Sequence, residues 1–249
     1  MGVGAHLPFW AGLFTGVMAA TALVMAVTTP ARSGPYCMDG CIRYPYTDVT
    51  GFVPRDYLWM SPALLAPVAF VVVAACIQEA AAAKWQHTSL AGLSIATVAS
   101  GILAVDYGLQ LSVVQPSLLA GESSGLSLLS QYNPHGLFVG LENLGYGALA
   151  LVFVFLGVPL TKASSGRTRL AGWSLAVGGA LGLLLLVVLV VLAAVYRNAL
   201  DVRFEVLAIL LSCLVLITAC TLLALEFPPK RAHKAHLSAL EPTNGGGEV

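Results

Sequence analysis

Residues 89–115 read SLAGLSIATVASGILAVDYGLQLSVVQ, and Asp106 is the only acidic or basic side chain in this stretch. About 20 predominantly apolar residues are enough to cross the hydrocarbon core of a bilayer as an α-helix. Because no water in that core can satisfy backbone N–H and C=O groups, repeated segments of this kind predict an all-α, polytopic helical membrane bundle. Stretches of spanning length cover residues 7–28, 58–83, 89–115, 135–160, 169–196 and 204–227.

The composition excludes a water-soluble domain of this length. Of the 249 residues, 58% are hydrophobic and 10% are charged, whereas an ordinary soluble domain has roughly 25% charged residues. The mean hydropathy is +0.85. The formal net charge is zero and no basic run exceeds two residues, so nucleic acid is not an expected partner. We expect contact with the lipid bilayer, and a chain this rich in Ala, Leu, Val and Gly is typical of a bacterial inner membrane.

Residues 1–228 are predicted to form one six-helix transmembrane domain. The first stretch has no Lys or Arg before it and exceeds the roughly 7–15 apolar residues of a signal peptide, so we interpret it as a retained helix. Residues 229–249 have little apolar content and end in GGGEV, which predicts a disordered tail.

The distribution of Lys and Arg predicts the orientation, because cytoplasmic loops carry an excess of these residues. An even number of spans places both termini on one side. The basic residues on that side are Lys84, Lys162, Arg167, Arg169, Lys230, Arg231 and Lys234. Those on the opposite side, spread over longer segments, are Arg32, Arg43, Arg55, Arg197 and Arg203. Both termini, and the tail, are therefore predicted to be cytoplasmic.

Cys37 and Cys41 lie in a polar segment on the predicted outer side. A disulfide persists in such an oxidising compartment, so this pair is a possible disulfide. The loop that it closes is very small, and stabilisation falls with loop size, so we expect it to stiffen a turn rather than stabilise the fold.

Two carboxylates, Asp106 and Glu142, lie within predicted spans, where an ionised group costs from a few to more than ten kcal/mol. Asp106 lies roughly two-thirds of the way along an outward-running helix, and Glu142 about 10 Å below the outer end of the next, inward-running helix. The two carboxylates are therefore expected at similar depth in the outer half of the membrane, on adjacent helices.

Further polar residues share these helices. They predict an outward-facing polar pocket between the third and fourth spans that binds or passes a proton, a cation or a small polar ligand. Arg197 and Arg203, at the outer ends of the last two spans, are possible counter-charges. The predicted pocket residues are Asp106, Gln110, Glu142, Asn143 and Tyr146, with His135 at the mouth.

Other functions remain open at this stage. The same polar groups would also suit an accessory or structural subunit, in which they hold helices together or dock a membrane-protein partner or a second copy. An intramembrane enzyme acting on lipid is less favoured, because the only available acid–base groups are Asp106, Glu142 and His135. The sequence has no HExxH, GxSxG or P-loop motif and no mid-span lysine, so we predict no catalytic residue, cofactor or metal site.

Overall fold

The computed structural model describes residues 6–193 and 200–227. Six helices in this part are long and apolar enough to cross a membrane, which confirms the predicted all-helical, multi-pass fold. The tail, residues 229–249, lies outside the described residues. The spanning helices are α1 (Leu7–Thr28), α2 (Met60–Glu79), α3 (Gln86–Leu109), α5 (Leu137–Leu160), α6 (Gly166–Ala193) and α7 (Leu200–Glu226), and a short helix, α4 (Gln115–Leu119), continues α3.

The helices form a closed bundle. Each spanning helix packs against the next one along the chain, and α7 closes the bundle against α1. Helix α5 also packs against α7, so it occupies the centre of the arrangement. Since successive spans alternate in direction, α1 begins and α7 ends at one face, which we call the terminal face. Residues 29–59 and 120–136 lie at the opposite face, which we call the loop face.

The third span is interrupted by a π-helical turn, Gln110–Val114. Within it the Gln115 N–H bonds to the Gln110 carbonyl, five residues back. Pro116 explains why the α-helical pattern fails here. It has no N–H to offer the Ser112 carbonyl four residues earlier, and its ring crowds that carbonyl. Such turns are frequent at functional sites.

Glycines let α5 and α6 approach closely, as small residues do between membrane helices. A Cβ added at Gly157 would lie 2.8 Å from the Leu175 Cβ and 2.9 Å from the Gly172 carbonyl oxygen. A Cβ at Gly179 would press against the Ala150 carbonyl oxygen in the same way. The two backbones therefore touch along one seam.

The two loop-face segments dock onto each other. The Arg32 Nε lies 2.9 Å from the buried Asp56 carboxylate, and the Tyr132 hydroxyl donates to the same carboxylate at 3.4 Å. The Ser130 hydroxyl donates to the Tyr46 carbonyl at 2.9 Å. Burial, with Tyr57 and Asp56 beside it, raises the pKa of Tyr132, so this hydroxyl keeps its proton.

Cys37 and Cys41 form a disulfide in the first of these segments, with an S–S distance of 2.06 Å. The predicted pair is therefore confirmed. It closes a turn within one segment, whereas Arg32 and Tyr132 connect the two segments through Asp56.

Replacing Gly157 with Ala is expected to lower the free energy of unfolding by about 1–3 kcal/mol, the usual cost of overpacking. The added methyl group meets backbone atoms of α6, which cannot move aside as a flexible side chain would. Thermal unfolding of the purified protein in detergent measures the change.

Gly140→Ala is the matched control on the same helix, because a Cβ there meets nothing within 4 Å. We expect G140A to be neutral or slightly stabilising, since Ala is the better helix former. Equal melting temperatures for the two variants would contradict the close α5–α6 seam.

Candidate functional site

Glu142 is the most deeply buried acidic residue of the polar pocket predicted from sequence. Its side chain is 0% exposed. The Tyr107 hydroxyl of α3 donates to the Glu142 Oε1 at 2.6 Å, and the Tyr107 and Tyr146 hydroxyl oxygens lie 2.9 Å apart. Because a phenol has one proton and Tyr107 gives it to Glu142, Tyr146 is the donor in the second bond. The three groups thus form a short chain that joins α3 to α5.

Aromatic packing holds the Tyr107 ring in place. Its centroid lies 5.6 Å from that of Trp59 and 6.1 Å from that of Phe138, both in edge-on arrangements. Such pairs stabilise by about 0.5–1.5 kcal/mol beyond their buried area. The hydroxyl is therefore fixed in its direction toward Glu142.

A third helix contributes Glu205. The Glu205 carboxyl is in hydrogen-bonding contact with that of Glu142. Glu142 is the fifth residue after Leu137, where α5 begins, and Glu205 is the fifth after Leu200, where α7 begins. Both helices begin at the loop face, so the two acids are expected at the same depth.

Asp106 lies close enough to Glu142 and to Glu205 for their charges to interact. Its side chain is 2% exposed, and its Oδ2 has no hydrogen-bond partner among the described residues. We call Asp106, Glu142 and Glu205 the carboxyl cluster. It joins α3, α5 and α7, three helices that lie far apart in sequence.

Gln110 lies one turn beyond Asp106, and its side chain bonds to a loop. Its side-chain amide donates to the Leu129 carbonyl of the second loop-face segment. This hydrogen bond therefore ties the π-helical turn to the loops.

His135 and Asn143 line the same cavity at the loop face. This cavity measures about 420 Å³, and His135 is exposed. The Asn133 side-chain oxygen accepts from the His135 N–H at 3.0 Å. His135 therefore occupies the turn that leads into α5, at the edge of the pocket that was predicted from sequence.

A second loop-face cavity, of about 190 Å³, reaches Glu205. Its polar lining includes Arg32, Asp56 and Gln131, which come from the docked loop segments. It shares Pro134 and Val139 with the His135 cavity, so the two are neighbours. Glu205 thus lies between this cavity on one side and Glu142 on the other.

No cation neutralises the carboxyl cluster within the described part of the chain. The one ion pair found there joins Arg32 to Asp56. Arg203 is exposed and pairs with none of the cluster acids, and Arg197 lies outside the described residues. In residues 6–193 and 200–227, no three His, Cys, Asp or Glu side chains are grouped closely enough to hold a metal ion.

Two residues of this site, Glu205 and Tyr107, are absent from the pocket predicted from sequence. Glu205 was overlooked because it stands at the very start of an apolar stretch, where a carboxylate can reach the membrane surface without help. Glu205 lies near the loop-face end of its span, and Glu142 lies near the same end of its own span. This shared position is the sequence feature that points to Glu205. Tyr107 follows Asp106 directly in the sequence, and the need of a buried Tyr for a hydrogen-bond partner is the feature that points to it.

No protein-family model, no curated protein and no solved structure matches this chain.

Replacing Tyr107 with Phe is expected to lower the free energy of unfolding by about 1–3 kcal/mol, because it leaves buried polar groups unpaired. The Glu142 Oε1 loses its donor and the Tyr146 hydroxyl loses its acceptor. Thermal unfolding in detergent measures the loss.

Tyr44→Phe is the control, since Tyr44 is 77% exposed in the loop-face segment. We expect no change for Y44F. A Y107F protein as stable as wild type would mean that Glu142 does not depend on the Tyr107 hydroxyl.

Proposed function

We propose that this integral membrane protein takes up a proton from the loop face onto the carboxyl cluster and passes it on. The contact between Glu142 and Glu205 carries the proposal. Two carboxyl groups share a hydrogen bond only if one of them holds a proton, and two carboxylates in a low-dielectric site do not both ionise readily.

The absence of a counter-charge among the described residues supports a proton rather than a fixed ion pair. Buried carboxylates that serve only structure are normally paired with a cation or with several hydrogen-bond donors. The Glu142 Oε2, the Glu205 Oε2 and the Asp106 Oδ2 receive no hydrogen bond from an N–H or hydroxyl donor among the described residues. The cluster therefore has unused capacity to accept a proton.

The position of Glu205 supports access from the loop face. Glu205 lines the 190 Å³ cavity, and its carboxyl also contacts Glu142 inside the bundle. A proton taken from the cavity by Glu205 would pass to Glu142 along that hydrogen bond. Asp106 lies within charge-interaction range of both and extends the series. Chains of acidic groups of this kind mark proton pathways in membrane proteins.

The other cargoes are less well supported. A metal cation needs three or more ligands around one point, and the described acids are not grouped in that way. A small polar ligand in the cavity that reaches Glu205 would meet Arg32 and Asp56, which already pair with each other. We therefore place the proton first.

The direction of uptake rests on the predicted orientation. The excess of Lys in the loops and tail on the side of the termini favours a cytoplasmic terminal face and an external loop face. The composition favours a bacterial inner membrane, where a proton gradient would act on such a site.

Proton uptake into liposomes that contain the full chain tests the proposal. A potassium diffusion potential drives protons inward, and an entrapped pH-sensitive dye reports them. We expect wild-type uptake above that of protein-free vesicles. Glu142→Gln and Glu205→Gln should reduce it to the protein-free level, because an amide keeps the shape but does not titrate.

Glu79→Gln is the matched control, since Glu79 is an exposed carboxylate at the terminal face, at the end of α2. We expect E79Q to retain wild-type uptake. Wild-type uptake no greater than that of protein-free vesicles would contradict the proposal. Unchanged uptake in E142Q and E205Q, with a lowered melting temperature, would support the structural-subunit alternative.

A further inference from the structure

The terminal face carries a basic cavity that the carboxyl cluster does not use. It measures about 350 Å³ and is lined by Lys84 and Lys162 together with Trp85, Ser89 and Thr168. Lys84 lies just before α3, and Lys162 lies in the connection between α5 and α6. Two ammonium groups from different connections thus border one cavity, at a depth where phospholipid headgroups lie.

Two buried donors line this cavity without a partner. The Ser89 side chain is 0% exposed, and its hydroxyl has no hydrogen-bond partner among the described residues. The Trp85 indole N–H is also buried and has no hydrogen-bond partner among the described residues. A buried donor without a partner costs about 1–3 kcal/mol, so a ligand that accepts from both groups would regain that free energy.

The cavity also lies at the start of α3. Trp85 immediately precedes this 24-residue helix, and no side chain caps its first N–H groups. A helix N-terminus carries a partial positive charge and favours phosphate and other anions. The lysines, the two unpartnered donors and the helix start all favour an anionic ligand with several acceptor oxygens.

An apolar cavity of similar size adjoins the basic one. It also measures about 350 Å³, and it shares Ile77, Leu160 and Thr168 with the basic cavity. Its other walls come from α1, α2 and α7, mostly as apolar side chains. A free phosphate ion would not need this second space, whereas a lipid acyl chain would fill it.

One acidic residue borders the apolar cavity. Glu79 is exposed and lies at the end of α2. The charged side chains that line the two cavities are Glu79, Lys84 and Lys162, so the lining has a net charge of +1. The charge favours an anionic lipid over a zwitterionic one.

We propose that the terminal face binds one anionic phospholipid at these joined cavities. Its phosphate group contacts Lys84 and Lys162 and accepts hydrogen bonds from the Ser89 hydroxyl and the Trp85 indole. One acyl chain lies in the apolar cavity. Basic pockets between membrane helices bind anionic lipid headgroups by this chemistry. The site lies at the face opposite the carboxyl cluster cavities and does not depend on the proposed proton uptake.

Native mass spectrometry of the full chain in detergent tests the proposal. The protein is titrated with phosphatidylglycerol, with phosphatidylcholine of the same acyl chains, and with inorganic phosphate. We expect phosphatidylglycerol to bind at least about fivefold more tightly than phosphatidylcholine, as one charged contact near the membrane surface provides. Inorganic phosphate should neither bind measurably nor displace the lipid.

Variants locate the site. Lys84→Gln and Lys162→Gln should each weaken phosphatidylglycerol binding about fivefold. Ser89→Ala should weaken it by a similar factor, because it removes a buried donor. Arg169→Gln is the control, since Arg169 is an exposed cation at the same face but outside both cavities.

Three results would overturn the proposal. They are equal binding of the two lipids, an R169Q effect as large as that of K84Q or K162Q, and phosphate binding that displaces phosphatidylglycerol. The last of these would assign the cavity to a free anion. The lysines are surface residues, so the K84Q and K162Q proteins are expected to fold, and their melting temperatures verify this.

Discussion

The hydrogen bond from Tyr107 to Glu142 is the interaction on which the loop-face half of the bundle depends. A carboxyl group with no exposed surface and no described cation beside it must obtain its partners from neighbouring helices. Tyr107 supplies one from α3, and Glu205 supplies another from α7. These contacts join three helices at one depth.

Much of the fold was predictable, because lipid imposes a length and a composition on every span. The six helices follow from those rules. The Cys37–Cys41 pair was predicted differently, from its place in a polar segment on the predicted outer side. The similar depth expected for Asp106 and Glu142 also follows from helix direction, since consecutive spans run in opposite senses. The position of Glu205 near one end of its span indicates its depth, but its contact with Glu142 depends on α7 packing against α5, and lipid rules do not specify which spans become neighbours.

The contacts between the loop segments and the close approach of α5 and α6 could not be predicted from the sequence. Asp56 receives partners from Arg32 and Tyr132, whose positions along the chain carry no common pattern. Small-residue spacings are abundant in a chain with 25 glycines, so the sequence alone does not indicate that Gly157 makes a backbone contact while Gly140 faces open space. In both cases the three-dimensional neighbour decides the role of the residue, and the local sequence does not.

Infrared spectroscopy of the carboxyl C=O stretch tests directly whether Glu142 and Glu205 share a proton, as we propose. The full chain, reconstituted in lipid at neutral pH, should show the band of a protonated, hydrogen-bonded carboxyl group. We expect that band to disappear in E142Q and in E205Q and to remain in E79Q. A wild-type spectrum without the band, or a band that persists unchanged in both cluster variants, would contradict the account.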